Sequence, residues 1–128
     1  MLNPKKFKIM KNSIKEELAG HILDKINDRI IDNSNKDDWH FYAFNEDYYI
    51  IGYYNASEWL KRHDIDAFEA ISICNEYERE NFGEISGKCD NSETVVNMLA
   101  YIYGEELLSE LDPESVEELR EKCEDILN

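Results

Sequence analysis

Between Ser13 and Ile31 an aliphatic residue returns at every fourth position, at Ile14, Leu18, Ile22, Ile26 and Ile30, and Leu23 and Ile31 widen the line. Read as a helix, the aliphatic residues stack on one side and the charged ones fall elsewhere. Ser13-Ile14-Lys15-Glu16 has the form of a capping box, and the polar run DNSNKDD from Asp32 ends the pattern. The spacing predicts a first helix from Ile14 to Ile31.

From Trp39 the rhythm changes. The stretch HFYAFNEDYYIIGYY, His40 to Tyr54, alternates aromatic and β-branched residues around Asn45-Glu46-Asp47, the pattern of two strands joined by a short turn. Asn55 with Glu58 opens a short helix carrying Trp59 and Leu60 and ending near His63. Asp66 caps a third helix, Ala67 to Phe82, with Phe68, Ile71, Cys74 and Tyr77 as its apolar line and Gly83 at its end. A fourth helix begins near Glu93 and turns Val95, Val96, Leu99, Ile102, Tyr103 and Leu107 inward. The last begins at Asp112-Pro113, a cap followed by proline at the first helical position, and runs to Leu127. A two-stranded hairpin is marginal alone in water and needs helices against it. The expected fold is α+β and mostly α, with about five helices around one antiparallel β-hairpin, in a single domain over residues 1–128 of which 1–12 pack loosely.

Two Trp, eight Tyr and five Phe, with 42% hydrophobic residues, are too many for a chain that stays unfolded. Cys74, Cys89 and Cys123 are odd in number and far apart, so a disulfide framework is not expected and a reducing, cytoplasmic compartment is. No apolar run approaches the roughly 18 residues of a membrane span.

Charge is the strongest compositional signal. The formal net charge is -15, and it is unevenly distributed: up to Ile31 seven Lys/Arg face four Asp/Glu, and from Asp32 onward seven face twenty-five. Such a surface repels nucleic acid and anionic lipid and favours basic partners. In the last helix Glu114, Glu117, Glu118, Glu121, Glu124 and Asp125 fall on one face, with Val116, Leu119, Cys123 and Ile126 opposite. At 1.5 Å rise per residue the six span roughly 16 Å, a charge density near the one charge per about 3.4 Å of a single DNA strand. Glu105, Glu106 and Glu110 extend the acidity upstream.

Several chemistries fail on their residues. Gly83-Glu84-Ile85-Ser86-Gly87-Lys88-Cys89 is one residue short of a phosphate loop, has Cys89 in place of the magnesium-binding hydroxyl, and follows a helix where a strand is required. The run from Asp32 puts Lys36 at a ligand position of a calcium loop and Ala43 where a bidentate glutamate belongs. His63-Asp64 lacks the further ligands of a metal-dependent phosphohydrolase, and His63 reads as a helix-end histidine favoured by the dipole. Cys74 is a small core residue. No Ser-His-Asp arrangement assembles from the sequence, so no enzyme, cofactor or metal is expected. Aromatic base stacking needs a basic groove, and between Asp32 and Tyr54 the basic residue is Lys36 against five acidic ones.

The blocks FNEDYYIIGYYNASEWL, DAFEAISICNEYERENFGE and VVNMLAYIYGEELL, together covering much of Trp39 to Leu108, resemble small acidic proteins of unknown function encoded by tailed bacteriophages. In acidity and size the chain is also similar to phage DNA-mimic anti-restriction proteins, a likeness of composition. These resemblances imply an anti-defence inhibitor or host-takeover factor acting in the bacterial cytoplasm. It would bind a host protein with a basic nucleic-acid-binding groove through Glu105, Glu106, Glu110, Glu114, Glu117, Glu118, Glu121, Glu124 and Asp125, without touching nucleic acid or membrane itself. The alternative is an interaction adaptor or assembly factor that docks through Tyr48, Tyr49, Tyr53 and Tyr54. Either is compatible with a homodimer.

Overall fold

The computed structural model describes residues 11–45, 56–84 and 92–128. Among these the chain forms α1 Asn12–Asn27, a 3-10 helix Asn33–Asp38, a π-helical turn Phe41–Asn45, α2 Ala56–Arg62, α3 Ala67–Phe82, α4 Ser92–Leu111 and α5 Val116–Leu127. No strand occurs among the described residues, so the expected α+β fold with its antiparallel hairpin is corrected to an all-α one.

The reason lies in which rings are buried. Trp39, Ala43 and Phe44 are 5%, 0% and 0% exposed, whereas Phe41 and Tyr42 are 46% and 40% exposed. A strand would pair Ala43 with Phe41 on one face and Phe44 with Tyr42 on the other. Burial instead recurs at four and five residues, the interval of a helical turn carrying one extra residue. His21 on α1 donates from Nε2 to the Ala43 carbonyl at 2.7 Å, and the Trp39 indole donates to the Asp32 carbonyl at 2.9 Å. The second half of the aromatic stretch, with Tyr48, Tyr49, Tyr53 and Tyr54, lies outside the described residues.

At the centre stands α4, buried on most of its circumference through Val95, Val96, Leu99, Ala100, Ile102, Tyr103, Leu107 and Leu111. It packs against α1, α2, α3 and the π-helical turn, as a helix apolar nearly all round must. Around it α1 contributes Ile14, Leu18, Ala19, Ile22 and Ile26, and α5 lies along α1 with Val116, Leu119 and Cys123 turned inward.

Element ends follow local chemistry in some places and tertiary contacts in others. The two ends of α3 stand as the sequence places them: the Asp66 carboxylate accepts from the Glu69 N–H at 2.8 Å, and Gly83 closes the helix at φ 81. Its buried line is Ala70, Ile73, Cys74 and Tyr77, however, and Phe68 is 87% exposed. The first helix stops at Asn27, short of Ile31. Arg29 takes a left-handed φ of 61, and the N–H groups of Ile30 and Ile31 both return to the Lys25 carbonyl. That turn carries Ile31 into the core and leaves Ile30 39% exposed. At the other end the capping box does not form, because Ser13 lies inside the first turn of α1, after Lys11 at the cap position. The last helix is capped by Ser115, whose hydroxyl accepts from the Glu118 N–H at 3.2 Å, and so begins three residues beyond Pro113.

Candidate functional site

With α5 starting at Val116, Glu114 precedes the helix, and Glu117, Glu118, Glu121, Glu124 and Asp125 form its helical stripe. These five cover about 12 Å at the helical rise. The stripe lies opposite the buried Val116, Leu119 and Cys123, so the core contact on α1 orients it outward.

Its members are not alike. Glu114 meets Lys36 at 3.5 Å, Glu117 meets Arg120 at 3.8 Å and Glu118 meets Lys122 at 3.2 Å. The Glu118 carboxylate also accepts from the Glu114 N–H at 2.8 Å, and that bond first, then Lys122, holds its carboxyl below the usual range. Lys122 reaches on to the Leu111 carbonyl, tying α5 to the end of α4. Glu121, Glu124 and Asp125 are exposed and form no ion pair among the described residues. The negative field of the stripe is therefore strongest over its C-terminal half.

The three upstream glutamates sit on α4 and are engaged within the fold. Glu105 accepts from the Tyr77 hydroxyl at 3.4 Å, and Glu110 pairs with Lys15 of α1 at 2.6 Å. Glu106 is half-buried; burial, and secondarily the neighbouring Glu110, pushes its carboxyl up to about 7.

A second polar group of residues gathers where α1 crosses the end of α2. His63 is 4% exposed, with Nδ1 2.8 Å from the Ser13 hydroxyl and Nε2 2.5 Å from Oε2 of Glu17. Oε1 of Glu17 accepts from the Trp59 indole at 3.1 Å and from Arg62 at 3.2 Å. Burial raises the Glu17 carboxyl, but the bonds from His63 and Trp59 and the charge of Arg62 outweigh it and hold the carboxyl below its ordinary value. His63 stands at the end of α2, as its sequence position suggests, and from there bridges two helices. Ser13 and Glu17 stand four apart on one helix face, which is legible in the sequence; their meeting with a histidine some fifty residues on is not.

Beside this group, a cavity of about 340 Å³ is lined by Leu60, Lys61, Asp64, Ile65, Asp66 and Ala67 among others. Lys11 donates to the carbonyl of Asp64, joining the start of α1 to the cavity rim. Cys74 and Cys123 are buried, and no cluster suited to a metal ion occurs among the described residues. No described helix is long and apolar enough to cross a membrane. Compared with family models, with curated proteins and with solved structures, the chain shows no match.

Proposed function

We propose that the protein binds and blocks a host protein whose nucleic-acid groove is basic, presenting the carboxylates of α5 in place of phosphates. The observation that carries this reading is the exposed set Glu121, Glu124 and Asp125, without ion pairs among the described residues, on a helix whose other side is locked in the core. A rigid helix holds these charges at fixed spacing, so little ordering entropy is lost on docking. The net charge of -15 adds long-range attraction to any basic partner. The partner class, a defence nuclease or another nucleic-acid-handling protein of a phage host, comes from the resemblance.

The test is capture of partners from bacterial lysate with the native chain and with Glu121→Lys/Glu124→Lys/Asp125→Lys. The reading expects a captured protein that elutes as the Debye length falls below about 8 Å, is displaced by duplex DNA, and is lost with the variant. Capture of the same proteins by the charge-reversed chain would overturn it. The exposed Phe41 and Tyr42, in edge contact at 5.3 Å, favour an adaptor role as the second reading; a partner held through them would survive high salt.

A further inference from the structure

We propose that Ser13, His63 and Glu17 form a Ser-His-Glu acyl-transfer site that accepts small neutral carboxylic esters, an activity separate from the binding role of α5. With the His63 ring neutral, the hydrogen-bond pattern leaves one way to place the protons. Glu17, with its carboxyl held ionised, has only acceptor oxygens, so the His63 Nε2 at 2.5 Å must carry the hydrogen that joins them. In the neutral ring Nδ1 is then bare, and the Ser13 hydroxyl 2.8 Å away must be the donor. A serine hydroxyl donating to an imidazole that is itself oriented by a carboxylate is the arrangement that makes serine nucleophilic. The two ring nitrogens exchange places relative to the common order, in which Nδ1 faces the acid, but the acid–base logic is unchanged.

Accessibility agrees with this assignment. Ser13 is exposed, so a substrate reaches the nucleophile, whereas His63 is 4% exposed and its Nδ1 is approached from the Ser13 side. Trp59 and Arg62 hold Glu17 from its other side and fix the carboxylate as a positioning group. Ser13 is the second residue of α1, in the turn whose first N–H groups precede the intrahelical ladder, and Ile14 and Lys15 are the first to bond back, both to Lys11. The cavity is not lined by Ser13, Glu17 or His63 themselves but begins at the next residue, Asp64; Leu60, Ile65 and Ala67 give it apolar surface for a short acyl chain, and Asp64 and Asp66 outweigh Lys61 in disfavouring anionic esters.

The reaction is a simple displacement. Ser13 Oγ bonds to the ester carbonyl carbon as Nδ1 of His63 takes its proton; the bond to the alcohol oxygen breaks, and that oxygen leaves with the proton. Water then adds to the acyl-serine by the same route, releasing the carboxylic acid and restoring the hydroxyl. Ester and water give acid and alcohol, with no change of oxidation state.

The full chain is treated with a fluorophosphonate and assayed against 4-nitrophenyl acetate, with the labelled serine located by peptide mass mapping. Ser13 should be labelled stoichiometrically, at least tenfold faster than the exposed Ser57. Ser13→Ala, which removes the hydroxyl bonded to His63 and alters no apolar core residue, should abolish both labelling and turnover with the far-UV circular dichroism unchanged. Glu17→Gln should lower kcat at least tenfold with KM and the far-UV circular dichroism unchanged, a split that a merely structural residue would not produce. Labelling of Ser13 no faster than Ser57, or ester turnover retained in Ser13→Ala, would overturn the proposal.

Discussion

A Cβ built on Gly104 would lie 2.8 Å from Cδ2 and Cε2 of Phe44, so the absence of a side chain at Gly104 sets how closely the π-helical turn approaches α4. Phe44 is fully buried and flanked by the rings of His21 and His40 at 5.6 and 5.5 Å, which leaves it little room to yield. Gly104→Ala should therefore destabilise the fold by about 1–3 kcal/mol from overpacking, partly offset by about 1 kcal/mol of helix propensity. Urea unfolding measures this, and Phe44→Leu in the same chain should recover part of the loss; additive losses would contradict the contact.

Gly20 is the contrasting case. Nothing lies within 4 Å of a Cβ there, and the residue sits inside α1. Gly20→Ala should stabilise by about 0.5–1 kcal/mol, since alanine costs less conformational entropy in a helix. Thermal unfolding should show a rise of a few degrees; a fall would mean that the α1 surface is packed more tightly than its geometry indicates.

Glu106 predicts a pH effect of definite sign. Its folded-state value stands at about 7 against 4.5 ordinarily, through burial first and Glu110 second, and its Oε2 is buried without a hydrogen-bond partner among the described residues. The folded protein thus holds a proton that the unfolded chain releases, and the stability this contributes is complete below pH 4.5 and lost as pH rises through about 7. Glu106→Gln should be more stable than the native chain above pH 7, with the difference shrinking toward pH 4.5. His40 is depressed by burial and acts oppositely below 6.5, but it is common to both chains and cancels in the comparison. Denaturant titrations at pH 5 and 8 that give equal differences would refute the assignment.

Cys123 is fully buried, and burial first, with Glu124 adding to it, pushes its thiol up to about 12; Cys74 is equally enclosed and lies 3.8 Å from the Val95 carbonyl. Both should resist alkylation by iodoacetamide in the native state and react at the rate of global unfolding. Rapid native modification at either position, read by peptide mapping, would show a local opening of α3 or α5.

Much of the helical layout was legible because it is written in neighbouring residues. Asp66 and Gly83 bracket α3 through a cap and a left-handed residue, each a matter of a few adjacent atoms. The inward side of α4 was legible too, since Val95, Val96, Leu99, Ile102, Tyr103 and Leu107 repeat at helical spacing and are all buried. Alternation in the stretch from Trp39 misled, because aromatic-rich runs suit a strand and a half-buried helical turn alike. Phe68 misled for a related reason: α3 carries two apolar lines, and only packing against α4 selects the one through Ala70 and Ile73.

The sequence by itself determined that this chain is helical through most of its described length, strongly acidic, and able to present carboxylates opposite the apolar line of its last helix. These properties depend on composition and on side chains within a few turns of one another. Tertiary structure alone decided that the Val116 N–H donates to the Asn33 side-chain oxygen at 2.8 Å, that Ile31 replaces Ile30 in the core, and that His63 lies between Ser13 and Glu17. Those contacts join residues far apart in the chain, and local propensities differ by too little, within about 1 kcal/mol per residue, to choose among the competing arrangements. Burial against α4 and α1 supplied the difference.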